Sequence, residues 1–456
     1  MKRVIDNFGK NIWVLILMLG LAFVNVSCED DDDSGNDDPM PENPMTITDI
    51  AASNADFSIL VAALQKVGLD DDLASENNEF TVFAPTNDAF TALLTELNVS
   101  GLDDIPNDVL TSVLLYHVVS GSKMANMIET GYYSSLSDGP KDGYGLSFYV
   151  DMSSAMINAR AKITATDIKA DNGIIHVIDK VMLPMTITDH AVANPAFSSL
   201  VAGVTKAELA GALDDESAMY TVFAPTNDAF EMFFTDLGVT LDDLSKETLS
   251  SVILYHAMGD AVPASMVEPG YFPTLSTAFD NAISLKIDTE GGVFLNSDSE
   301  VVATDVVATN GIVHAINKVI MPPSVVDIAI DNTNFSTLVQ AVVKAELVDA
   351  LSGDGPFTVF APTNAAFDAL FTELNITGID DLTKEDLTPI LLAHVVSGNV
   401  KSTDLSNGTV PTLNDQKTLA VAVDGGVTID EAINVVAADI QGKNGIVHVI
   451  DKVIIP

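Results

Sequence analysis

The sequence predicts an α+β protein built from three tandem copies of one domain, with helices in the first half of each copy and strands in the second. Three observations predict it. The block Phe80-Thr81-Val82-Phe83-Ala84-Pro85-Thr86-Asn87 returns from Tyr220 and again from Phe357. A second block, Asn172-Gly173-Ile174-Ile175-His176, returns at Asn310–His314 and Asn444–His448. Between the two blocks the apolar spacing changes from helical to strand-like, which segregates helices from strands. Phe83, Phe223 and Phe360 lie 140 and 137 residues apart. That period is far beyond the ~20–50 residues of solenoid repeats. A chain of this length buries a core of its own, so the copies read as beads and not as stacked layers.

Each copy closes on a proline, at Pro184, Pro322 and Pro456. Pro184 is followed at once by Met185-Thr186-Ile187-Thr188-Asp189, which matches Met45 to Asp49. The boundaries are therefore 45–184, 185–323 and 324–456. Joints this short favour a semi-rigid rod.

Ahead of the copies, residues 1–27 read as an export signal. Lys2, Arg3 and Lys10 precede an apolar run from Ile12 to Val24. That run is shorter than the ~20 residues of a spanning helix. Ser27 then precedes Cys28, the single cysteine. The arrangement resembles a bacterial lipoprotein signal, which makes Cys28 the expected lipid attachment, with Asn25 where such signals usually carry Leu. Residues 28–44 read as an acidic, Pro-rich flexible tether, a like-charge block expected to self-repel and stay disordered. This stretch resembles the segment that follows the lipidated cysteine in surface-displayed lipoproteins of Bacteroidetes. The expected location is the outer membrane or cell surface, with membrane contact through the lipid only.

Composition narrows the function. The chain carries 65 acidic against 20 basic residues, a net charge of −45. That balance argues against nucleic-acid binding, which needs a basic footprint. One cysteine excludes an intrachain disulfide and a thiolate zinc site. At 47% apolar and 19% charged, most of the chain has the composition of folded domains.

Within the first copy, Phe57, Leu60, Val61 and Leu64 predict a helix over 49–68. Phe80 to Ala84 is a short buried strand stopped by Pro85. Thr86, Asn87 and Asp88 supply N-cap chemistry for a second helix carrying Phe90, Leu93, Leu94 and Leu97. Asn107 or Asp108 caps a third, with the stripe Leu110, Val113, Leu114. Leu146–Met152, Ala155–Arg160 and Lys162–Thr166 are strand-like. Asn172-Gly173 is a tight-turn pair leading into a last strand over 174–182.

These residues resemble the fasciclin (FAS1) family. Thr-Val-Phe-Ala-Pro-Thr-Asn is similar to its first signature motif, and Asn-Gly-Ile-Ile-His-Val-Ile-Asp to its second. Between them stand Tyr116-His117 and Tyr255-His256, with Ala393 before His394 in the third copy. The resemblance covers about 45–456. It implies a β-sandwich-like or wedge-shaped sheet with helices beside it, and adhesion or matrix contact without catalysis. In animal members the Tyr-His region and an Asp-Ile pair are implicated in contacts. The corresponding candidates are Tyr116, His117, Tyr255, His256, His394, Asp167-Ile168, Asp305-Val306 and Asp439-Ile440.

Six of the seven histidines occupy equivalent places, two per copy. His117, His256 and His394 continue apolar helical stripes. A packed, hydrogen-bonded core histidine is the plainer reading, beside a metal ligand or a contact surface. His176, His314 and His448 alternate with strand apolar residues. His176 is expected to bond Thr86 or Asp88 and tie the two motifs together. No metal is expected, because two histidines per copy without cysteine are too few for zinc and no EF-hand spacing occurs. No hydrolase, zincin, P-loop or dinucleotide motif occurs, so neither an enzyme nor a cofactor is expected. The leading expectation is a non-enzymatic adhesion or scaffold protein for an extracellular protein or glycan. The alternative is an envelope binding protein for a glycan or small hydrophobic ligand.

Overall fold

The computed structural model describes residues 45–75 and 77–456. The expected signal (1–27), Cys28 and the tether (28–44) lie outside the described residues. The elements of the first copy recur in the other two, so they are described once.

Helix α1 (Ile47–Ser53) starts on a reciprocal cap. The Asp49 amide donates to Thr46 Oγ1 at 3.3 Å, and the Thr46 amide donates to the Asp49 carboxylate at 2.9 Å. Thr186/Asp189 and Ser324/Asp327 repeat it. The single helix expected over 49–68 is broken at Asn54. Its side chain accepts from the Asp56 amide at 3.0 Å, a local bond that competes with the helical ladder. A 3₁₀ turn (Ala55–Phe57) follows, then α2 (Ser58–Val67), bent 106° from α1. Gly68, at φ 75°, ends α2 in the left-handed region that glycine tolerates. A short α3 (Asp70–Leu73) precedes strand β1 (Phe80–Pro85).

Thr86 caps α4 (Asn87–Glu96), accepting from the Ala89 amide at 3.3 Å. Helix α5 (Asn107–Tyr116) starts behind Pro106 with no side-chain cap, so neither Asn107 nor Asp108 serves. Asp108 instead places its charge in the first turn, where the helix dipole favours an anion. The strands are β2 (Val118–Ser120), β3 (Gly131–Asp138), β4 (Gly145–Asp151), β5 (Met156–Ile157), β6 (Ala161–Ala170) and β7 (Gly173–Ile178). The strand expected over 155–160 shrinks to β5 because Ala155, Asn158 and Ala159 take positive φ of 53°, 53° and 49°. The tight turn is Asp171-Asn172, and Gly173 is already in β7.

The seven strands form one sheet in the order β2-β1-β7-β6-β5-β4-β3. Strands β1 and β7, which carry the two sequence motifs, are parallel neighbours with Phe83 opposite His176. The sheet is folded over on itself. Three strands separate β1 from β4, which would hold them ~19 Å apart in a flat sheet. Yet the rings of Phe83 and Phe148 are 5.4 Å apart, edge to face. Each copy thus has two cores. Val82, Ala84 and Ile175 face the helices, whereas Phe83, Phe148 and Ile178 lie inside the folded sheet. This is the wedge that the resemblance implies.

The cores are not wholly private to each copy. Val307 of the second copy is buried in the folded-sheet core of the first, and its amide donates to Ser147 Oγ at 3.0 Å. The Gln441 amide of the third copy donates to Ser284 Oγ of the second, also at 3.0 Å.

Candidate functional site

The Tyr-His pair sits where α5 meets β2. Tyr116 is fully buried, and its hydroxyl donates to the Ser147 carbonyl at 2.6 Å while receiving Asn158 Nδ2 at 3.2 Å. Burial pushes the phenol well above its ordinary pKa. His117 is equally buried. Its Nδ1 lies 2.7 Å from the Val113 carbonyl, and its Nε2 accepts the Met182 amide at 2.8 Å. Those partners require a neutral ring protonated on Nδ1, and desolvation lowers its pKa to about 4. His256 and His394 repeat both bonds. Tyr255 repeats the tyrosine's bond to a β4-equivalent carbonyl, that of Ser284. As placed, Tyr116, His117, Tyr255, His256 and His394 have no surface to offer a partner. The helical stripe that carries each histidine turns it inward, where it clamps the segment after β7 to α5.

The Asp-Ile pairs lie on a β-bulge in β6. The register with β7 slips between Ala165 and Ile168, and Asp167 takes φ 62°. Aspartate tolerates that left-handed conformation better than most residues. Asp305 and Asp439 take 61° and 64°. The half-exposed Asp167 carboxylate accepts the Ala125 amide at 2.7 Å. Asp305 accepts Ala264 at 2.8 Å, and Asp439 accepts Ser402 at 2.8 Å. Ile168 is part-buried and packs against the helical core, while Ile440 and Val306 are buried.

His176 completes the bulge. Its Nδ1 accepts the Asp167 amide at 3.4 Å, and its Nε2 lies 2.9 Å from the Lys123 carbonyl. The same two bonds recur at His314 (3.2 and 2.9 Å) and His448 (3.3 and 2.9 Å). His176 therefore joins the bulge to the loop after β2, and not to Thr86 or Asp88 as expected. Thr86 is occupied as a helix cap, and Asp88 points to solvent. Thr81 supplies the link to the first motif. Its hydroxyl donates to the Gly121 carbonyl at 2.6 Å and accepts the Lys123 amide at 2.9 Å.

The Asn-Gly pair does more than turn the chain. Asn172 is buried, accepting the Ile47 amide at 2.9 Å and donating to the Leu73 carbonyl at 2.7 Å. A Cβ on Gly173 would stand 2.0 Å from the Phe80 carbonyl oxygen, so only glycine allows β7 to lie so close to β1.

One buried histidine stands outside these motifs. His190 is sealed between the first and second copies, 5.6 Å from the ring of Tyr132. Burial lowers its pKa to about 3, and neither ring nitrogen completes a hydrogen bond. Its equivalents are Ile50 and Ile328. The signal that marks it is this mismatch between copies. Among the described residues, no group of three or more His, Cys, Asp or Glu side chains is placed to hold a metal.

The Fasciclin domain model matches residues 55–184, 195–322 and 333–456. The chain belongs to the Fasciclin family. Helix α1 and its counterparts precede each matched segment. Protein sll1483 of Synechocystis is 43% identical over 133 residues, 29% of this chain and 73% of that protein. Transforming growth factor-beta-induced protein ig-h3 of Sus scrofa is 27% identical over 385 residues, 83% of this chain and 53% of that protein. Human periostin is 26% identical over 423 residues, 90% of this chain and 47% of that protein. The chain thus spans about half the length of the latter two.

Proposed function

We propose that this chain is a non-enzymatic adhesion or scaffold protein of the cell exterior. It is held by lipid on Cys28 at the outer membrane or cell surface and presents three Fasciclin domains to a protein or glycan. The observation that carries the reading is the pairing of three family domains with buried joints, which hold the domains as one array. Weak contacts repeated along such an array gain from effective concentration. The acidic balance supports an exported, self-repelling surface. The bonded and buried Tyr-His pairs favour the bulges at Asp167, Asp305 and Asp439 as the contact surface. Binding of residues 45–456 to envelope or host extracts tests the proposal. A single domain should bind at least tenfold more weakly, a loss much larger than the stability it gives up with its joint. Equal binding by one and three domains would remove the array argument. Cys28→Ala should release the protein from membranes. Its retention there would sink the anchor.

A further inference from the structure

The three copies share a cavity beneath the first two helices, and it differs sharply among them. Its volume is about 20 Å³ in the first copy and 50 Å³ in the third, but 270 Å³ in the second. Small side chains account for the difference. Ala257 stands where the other copies have Val118 and Val395, Val204 where the first has Leu64, and Ala210 where the third has Val348. The lining is mostly apolar. His256 also borders the space, but both of its ring nitrogens are occupied by backbone partners. The rim is acidic. Asp189 and Asp214 border it, and Asp214 replaces Ala74 and Ser352 of the other copies. The Thr186 hydroxyl donates to Asp214 at 2.5 Å, and the Thr188 hydroxyl donates to it as well.

We propose that the second domain binds a compact, uncharged apolar molecule in this cavity. An apolar cavity of ~150 Å³ suffices for benzene, so 270 Å³ suits a molecule of two to three aromatic rings. Apolar walls without free hydrogen-bonding groups select against sugars, because a buried hydroxyl left unpaired is costly. Two carboxylates at the rim repel an anionic head group, which disfavours fatty acids and sulfonates.

The test uses the full chain and two fluorescent probes that differ by one sulfonate, neutral N-phenyl-1-naphthylamine and 8-anilinonaphthalene-1-sulfonate. The neutral probe should saturate at one per chain and bind at least tenfold more tightly than the sulfonate. The double variant Val204→Leu, Ala257→Val should lose the neutral probe by tenfold or more without a lower unfolding midpoint. Ala257→Val alone, read the same way, serves if the pair does not fold. Asp214→Asn should strengthen binding of the sulfonate. Unchanged binding by the filled variant, three neutral probes per chain, or equal affinity for the two probes in the parent chain would overturn the proposal.

Discussion

The two joints between copies are built to one plan and tuned in opposite directions. At each, a tyrosine from the preceding copy packs against the helical core of the next. Tyr132 does so against the second copy, and Tyr271 against the third. Each phenol also accepts an asparagine amide, from Asn194 at 3.4 Å and from Asn332 at 3.3 Å. A serine then receives a backbone amide in return, as Ser147 and Ser284 do. The differences lie in the charged and titratable groups. The first joint seals His190 against Tyr132. The second has Ile328 at that position, and beside it Lys286 Nζ donates to the Asp331 carbonyl at 2.8 Å. Asp331 is half-buried, and its pKa is raised to about 6, first by desolvation and then by Asp327, with Lys286 opposing. The shared apolar and backbone contacts hold the copies together, while the variable groups decide how each joint answers to pH.

Removing the tyrosine should have the largest effect. Tyr132→Ala strips a part-buried aromatic ring from the first joint, and a loss of about 3 kcal/mol, the low end for buried aromatics, is expected. Calorimetry should then show the first copy unfolding apart from the others. An unchanged single transition would mean that the joint contributes little. Ser284→Ala leaves the buried Gln441 amide without an acceptor, at a cost of about 2 kcal/mol. Ser147→Ala should cost a similar amount through Val307. Unequal effects on urea midpoints would break the claim of a common plan.

Acid should act on the first joint. His190 has a folded pKa below its ordinary value of 6.5. The unfolded chain therefore takes up the proton first, and stability falls as pH drops from 6.5 toward 3. By pH 5 the loss from this residue is about 2 kcal/mol. His190→Ile should abolish that share, leaving the decline due to the six motif histidines, all held below their ordinary pKa by burial. Parallel pH curves for parent and variant would refute the assignment. Asp331 carries the opposite sign. The folded state holds its proton more tightly, so the residue's contribution is present below pH 3.8 and is lost as pH rises through about 6. Solvent screening reduces this to about 1 kcal/mol. Asp331→Asn should flatten the thermal midpoint across that range, and a variant that keeps the parent's slope would count against it.

How far the sequence could be read follows from the range of each signal. The inward histidines were legible because His117, His256 and His394 extend an apolar stripe within one helix. Strand β3 was not, because its most buried residues are Ser135 and Ser137, which invert the usual alternation. The break at Asn54 was hidden by an apolar spacing that continues across it. The partners of His176 were missed because Lys123 is 53 residues away and contributes a carbonyl, which has no residue code. The joints leave a trace only when copies are compared. Val307 and Gln441 are buried where the first copy has exposed Lys169, and Tyr132 and Tyr271 align with exposed Thr409 of the third.

The sequence by itself determined the three copies, their α+β order and the two motifs that become neighbouring strands. Those features rest on local spacing and recurrence, which a one-dimensional pattern carries. Tertiary structure alone decided that the sheet folds to enclose a second core, that Tyr116 and Tyr255 are sealed against the Ser147 and Ser284 carbonyls, and that adjacent copies share contacts. It also decided that the second copy keeps a cavity its siblings fill. Each of these depends on the volume and backbone groups that distant segments bring to one place.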